Sequence, residues 1–394
     1  RKMVVFQALT WETEDDDESH LVHVFGKTQD GLSVCVTTEF KPYFFVKLPR
    51  DNVENRAIIW YEKMRKLCSD ISFEYTLVKY KDVWGFQNNE QFYFMKIDCC
   101  TLGDRRRLVS ILKKNKLPDE FTKLKLFETN LDPVLRLMHR TGIQSTGRLD
   151  TGDSCYENNI ANVDIDLTCP DWSELKHVDK PETAPFVVAS PDIECNSSTG
   201  KFPDADIEGD ACFQIAVSLC TFGNDVPYDK TCFCYKKTDS NLEGCSILSY
   251  DTERDMLIAF SKYMQSMDID IITGWNIFGF DMEYIMKRAE LNSCGSSFFN
   301  LSKLRDYSCK MVYKKLSSSA LGDNDLKLVP IPGRFVFDLF HEVKKGYKLD
   351  SYKLDNVSKL YLGDQKIDMP AKEMFARFVE EDPVKLREVA EYCI

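Results

Sequence analysis

The run Phe186-Val187-Val188-Ala189-Ser190-Pro191-Asp192-Ile193-Glu194-Cys195 leads an apolar segment into two carboxylates two residues apart. Side chains alternate along a strand, so Asp192 and Glu194 share one face and Ile193 takes the other. Two anions on one face repel each other, and a divalent cation is the simplest partner that holds them together. Two solvent-facing acids on an edge strand would give the same letters. The two readings part on whether a further acid arrives at the same place from a distant segment.

Such an acid stands about ninety residues on. Residues 269–273 form a short apolar strand, and Gly274-Trp275-Asn276-Ile277-Phe278-Gly279-Phe280-Asp281 follows it directly. Residues 282–289 continue as a helix, which places Asp281 at a strand-to-helix turn on the C-terminal edge of the sheet. Open α/β sheets bind ligands at that edge. Alone, Asp281 would be a helix N-cap; beside Asp192 and Glu194 it is a third carboxylate.

The surroundings fit a layered fold. Strands are expected at 213–220 and 231–235, then a helix to about 267 whose Met256, Leu257, Phe260, Tyr263 and Met264 form one apolar stripe. Strands alternating with helices indicate an α/β arrangement. Residues 310–316 and 326–330 flank a Ser- and Asp-rich stretch that reads as a hairpin tip or a flexible loop. A strand at 333–340 carries Asp338. Helices follow at 352–361, 370–378 and 383–394, the last with Asp382 as cap and Pro383 in its first position. Its pattern is still running at Ile394, which suggests a piece of a longer protein.

The first part of the chain reads differently. Residues 3–49 are β-rich, with Asp30-Gly31 as a turn. A helix at 53–68, strands at 73–80 and 91–98, and a basic helix at 101–114 follow. Asp132-Pro133 opens another helix. The acidic run from Glu12 to Glu18 reads as a solvated loop. A boundary is expected near residue 150.

The chain has 394 residues, enough for two or three domains. Its 51 basic and 63 acidic side chains give a net charge of −12, which argues against a large phosphate-gripping surface but leaves room for a local basic groove. Fifteen scattered cysteines and five unclustered histidines suggest reduced thiols and no zinc site. No run of about 18 apolar residues is present, so no membrane span is expected.

In order along the chain, Asp192-Ile193-Glu194-Cys195, then Ile272 to Asp281, then Glu391-Tyr392-Cys393-Ile394 resemble the three exonuclease motifs of the family B DNA polymerases of the delta kind. Gly333-Arg334-Phe335-Val336-Phe337-Asp338 and Tyr347-Lys348-Leu349-Asp350-Ser351-Tyr352-Lys353-Leu354 are similar to that family as well. So are Phe25-Gly26, Pro42-Tyr43-Phe44-Phe45-Val46 and Glu128-Thr129-Asn130. The wording of residues 42–49 looks most like polymerases of large DNA viruses of algae and protists. Pro191 departs from the family, since proline removes a ladder donor.

The resemblance implies an α/β chain: an α+β N-terminal domain at 1–150, then an RNase H-like 3′→5′ exonuclease at 151–394 with a mixed central sheet flanked by helices. It implies Asp192, Glu194 and Asp281 as metal ligands for two magnesium ions, with manganese as a substitute. Tyr392 would orient the attacking water, Asn276 would bond the terminal nucleotide, and Phe202 and Phe280 would stack on unpaired bases. A further carboxylate is expected two residues past Ile394, and without it this piece should be a weak nuclease. No palm motif is present, so it should not synthesise DNA. Implied partners are primer-template DNA, single-stranded 3′ ends and a sliding clamp, in the nucleus or at a cytoplasmic viral replication site. Alternatives are a stand-alone exonuclease of the same chemistry, or a metal-free scaffold that only binds DNA.

Overall fold

The computed structural model describes residues 3–114, 124–318, 322–363 and 369–394. Its contacts separate two units, each discontinuous in sequence. The first comprises Arg1–Val24, Cys35–Asn158 and Leu167–Pro181; the second comprises Phe25–Val34, Asn159–Asp166 and Glu182–Ile394.

Within the first unit, Tyr43–Lys47, Phe73–Tyr80, Phe92–Cys99 and Leu126–Phe127 form a four-stranded antiparallel sheet. Alternation along its strands sends Phe44, Val46, Met95 and Ile97 to one face, where the helices Val53–Leu67 and Leu102–Lys114 cover them with Trp60, Met64, Leu108 and Leu112. Arg105, in the basic run of the second helix, is buried and donates to the Leu131 carbonyl. The acidic run is also only partly loop. The strand Val5–Asp15 extends through its first half, and the Asp15 carboxylate accepts the Leu102 and Gly103 N–H groups at 2.9 Å each. Those are the open donors at a helix start, which an acid stabilises by hydrogen bonding and by charge.

The second unit is built on a six-stranded mixed sheet, in the order Ser246–Tyr250, Asp229–Tyr235, Cys212–Thr221, Val187–Cys195, Ile271–Gly274, Phe335–Asp338. Val187–Cys195 runs antiparallel to Cys212–Thr221 and parallel to Ile271–Gly274. Pro191 fits this central strand because the parallel ladder ends at Ala189, two residues before it. Pro191 therefore lies past the last pairing on that side, where a missing donor does least harm.

One sheet face packs against the helices Glu253–Ser266 and Asp281–Leu291. Ala189, Ile193, Ile215, Val217 and Leu219 meet Met256, Leu257, Phe260, Ile285 and Met286 in a common core. The helix Pro383–Cys393 packs on other residues of the same strands, with Leu386 and Val389 against Phe213 and with Ala390 and Cys393 against Ala216, Cys232 and Cys234. Asp382 caps this helix as expected, accepting from Val384 and Lys385 N–H. The hairpin is present as Val312–Ser318 paired with Gly322–Leu328, while the centre of its tip lies outside the described residues. The strand expected at 333–340 is shorter, because Asp338 caps a helix, Leu339–Gly346, that no periodicity announced.

Candidate active site

Register places the two acids. Asp192 stands opposite Ala216 and Glu194 opposite Gln214, while Ile193 opposite Ile215 points into the core. Asp192 is half-buried and Glu194 is buried. The helix Pro383–Cys393 comes down over this face: the Gln214 amide donates to the Leu386 carbonyl at 2.8 Å, and Cys393 Sγ lies 3.7 Å from the Asp192 carbonyl oxygen.

The result is a cluster in which one carboxylate oxygen each from Asp192 and Glu194 and the Cys393 sulfur lie within 4.8 Å of one another. A donor set of two carboxylates suits a hard divalent cation, for which a thiol is a poor ligand. The two carboxylates could hold such a cation, and the residues present fit it. Nothing in the residue pattern alone announces Cys393 beside the two acids. The only sequence signal is its place on the apolar stripe with Leu386, Val389 and Ala390, which commits its side chain to the sheet.

Asp281 is the first residue of Asp281–Leu291, with Phe280 in the cap position, so it is not itself the N-cap. It is 8% exposed and stands outside the 4.8 Å cluster. Its nearness to the same region shows in the Cys195 thiol. Burial first, then Cys212, then the charges of Glu194 and Asp281 push that thiol well above its ordinary titration range. The helix behind Asp281 is anchored by a buried pair: Arg288 Nε donates to Glu253 Oε1 at 2.8 Å and Nη2 to Oε2 at 2.5 Å. Tyr284 adds a hydroxyl bond to the Asp210 carbonyl at 2.7 Å.

The four other sequence candidates differ in placement. Phe202 is 78% exposed, on a loop fastened by Asp210, whose carboxylate accepts Ser198 and Asp204 N–H. Its ring meets Phe280 edge-on at 5.3 Å, and Phe280 leans in turn on Tyr284, so the two phenylalanines form one shelf. Asn276 turns inward: a Cβ on Gly279 would lie 2.4 Å from its Oδ1, so its amide is folded over its own turn. Tyr392 is partly buried beside Phe213, Phe378 and Val389.

A mixed sheet with acids on its central strand and at a strand-to-helix turn defines an RNase H-like nuclease fold. The model of the DNA polymerase family B exonuclease domain matches residues 124–357, more than half of the chain. The chain belongs to that family and carries its exonuclease domain, a class of metal-dependent domain. It is 30% identical over 387 residues to a DNA polymerase of Paramecium bursaria Chlorella virus NY2A, covering 95% of this chain and 41% of that protein. Against the DNA polymerase delta catalytic subunit of Schizosaccharomyces pombe the identity is 26%, covering 93% and 35%. A polymerase of Invertebrate iridescent virus 6 is 28% identical, covering 95% and 33%. The solved family B DNA polymerase of Pyrobaculum calidifontis superposes with a TM-score of 0.67 at 17% identity, covering 99% of this chain and 44% of that one, which is a likeness of fold. The chain thus spans about two fifths or less of the curated relatives named here.

Proposed function

We propose that this chain is the proofreading part of a replicative DNA-directed DNA polymerase, which removes mispaired nucleotides from single-stranded 3′ ends. The observation that carries the reading is the pairing of Asp192 and Glu194 on one strand face, with ligand atoms brought together in one cluster. In the reaction, water attacks the terminal phosphorus and the bond from phosphorus to the 3′ oxygen breaks. A nucleoside 5′-monophosphate leaves, and the shortened strand keeps a 3′ hydroxyl.

Asp192 and Glu194 would hold magnesium, or manganese in its place, with Asp281 reaching it directly or through water. Two such ions supply charge stabilisation at both the attacking and the leaving oxygen. Tyr392 would orient the water through its hydroxyl. Phe202 and Phe280 offer flat surfaces to an unpaired base of any identity. Asn276 would meet the terminal nucleotide only after releasing its own turn. The nuclease portion corresponds to about 151–394 and the N-terminal portion to about 1–150. A sliding clamp, and replication in the nucleus or at a cytoplasmic viral site, follow as finer parts of the same proposal.

The test is shortening of a 3′-mispaired primer by the full-length protein. Magnesium-dependent removal is expected, and Asp192→Ala with Glu194→Ala should lower it about 10²-fold or more, at least the scale seen when a metal site loses supporting groups. No metal-dependent shortening by the unaltered protein, or full activity in the double variant, overturns the proposal.

A further inference from the structure

The helix Asp281–Leu291 begins without a side-chain cap, since Phe280 occupies the cap position and makes no such bond. The turn before the helix sets where Asp281 enters it, while Arg288 and Tyr284 anchor the helix further along. That turn is tight. Asn276 has a φ of 62°, and the Gly279 and Phe280 N–H groups both return to its carbonyl, at 2.9 and 3.1 Å. A non-glycine residue in the left-handed region persists only where its surroundings hold it there.

Those surroundings converge on one residue. Asp338 is 2% exposed at the end of the strand Phe335–Asp338, where it pairs with Gly274. Its Oδ1 accepts the Asn276 N–H at 2.8 Å and its Oδ2 accepts the Phe278 N–H at 3.0 Å. Oδ1 also accepts the Phe340 N–H at 2.9 Å, capping Leu339–Gly346. Rings continue the grip: Trp275 meets Phe340 edge-on at 5.8 Å, and Phe278 stacks on His341 at 6.3 Å.

We propose that Asp338 is a positioning residue for the exonuclease site: its carboxylate moulds the turn that delivers Asp281. The inference rests on the exonuclease reading above. Bonds from N–H groups to an ionised carboxylate are stronger than those to a neutral amide. Asparagine at 338 would still cap the following helix, because Asn and Asp are comparable N-caps. Its NH2 group would, however, oppose one of the two N–H donors of the turn. Asp338→Asn therefore separates moulding from capping, and Asp338→Ala removes both.

The experiment compares the full-length protein with Asp338→Asn, Asp338→Ala and Ser261→Ala. The last is a stability control that removes a buried hydroxyl bond to the Phe298 carbonyl. Exonuclease kcat and KM on a single-stranded oligonucleotide, the manganese concentration for half activity, and the thermal midpoint are measured together. Asp338→Asn should lower kcat about 10- to 100-fold and raise the manganese requirement, with KM unchanged. Asp338→Ala should lose at least as much kcat and also melt lower. Ser261→Ala should melt lower with kcat per folded molecule intact. Unchanged kcat and manganese requirement in Asp338→Asn, or losses that follow only the unfolded fraction, overturn the inference while leaving the exonuclease reading standing. An unaltered protein with no metal-dependent activity overturns both.

Discussion

At the entry to the strand Ile271–Gly274, Asp268 and Asp270 meet two lysines. Lys27 lies 2.9 and 2.6 Å from them, and Lys303 lies 2.9 and 2.7 Å from them. Both lysines are nearly fully buried. Past the exit of the same strand comes Asp281, and on the neighbouring strand stand Asp192 and Glu194, whose ligand atoms gather with the Cys393 sulfur. The entry acids are matched by cations built into the chain, each lysine bridging both carboxylates. One Asp192 oxygen and one Glu194 oxygen converge within 4.8 Å, close enough for a single cation to reach both. One end of the sheet uses charge to hold the fold, and the other, on the proposed exonuclease reading, would use it to hold an ion.

This contrast can be broken from either end. Lys303→Met should have the largest effect on folding. A broken buried pair costs roughly 3–5 kcal/mol, and because Lys27 remains the loss should be about 3 kcal/mol. Urea unfolding measures it, and exonuclease kcat per folded molecule should not change. A variant that folds normally but cannot cut would place the entry cluster in the chemistry and erase the distinction.

Phe202→Ala comes next. A base stacked on an aromatic ring is held by about 1–3 kcal/mol, so KM for a single-stranded end should rise about tenfold with kcat little altered. An unchanged KM would reduce the shelf with Phe280 to ordinary packing.

The smallest effect concerns pH. Burial alone would raise the Asp268 carboxyl, but Lys303 and then Lys27 outweigh it and hold it below the usual 3.8. Burial alone would lower Lys27, but Asp270 and then Asp268 outweigh it and hold it above the usual 10.5. A depressed carboxyl contributes stability above its unfolded value that is lost as pH falls through the folded one. A raised amine contributes stability that is lost as pH climbs through its folded value. The deficit of Lys303→Met should therefore be widest at neutral pH and narrow in acid. A deficit independent of acidification would contradict the ion-pair account of this end.

Much of this arrangement is legible in the residues, for local reasons. Period-two spacing put Asp192 and Glu194 on one face, and register against Ala216 and Gln214 keeps them there. Asp132 and Asp382 cap the helices that their following prolines announce. What stayed hidden depends on elements far apart in sequence. Asp338 looks like a strand residue until Leu339–Gly346 and the 275–280 turn are seen around it. Asp15 looks like part of a solvated acidic run until Leu102 and Gly103 present their N–H groups. Asn276 looks free to meet a substrate until its left-handed backbone folds its amide over Gly279.

The most direct measurement is anomalous diffraction from manganese-soaked crystals of the full-length protein. Manganese is expected between the Asp192 and Glu194 carboxylates, with Asp281 reaching it directly or through one water, and that ion should be lost in Asp192→Ala. Manganese absent from those carboxylates, or bound there with Asp281 turned away, would contradict it.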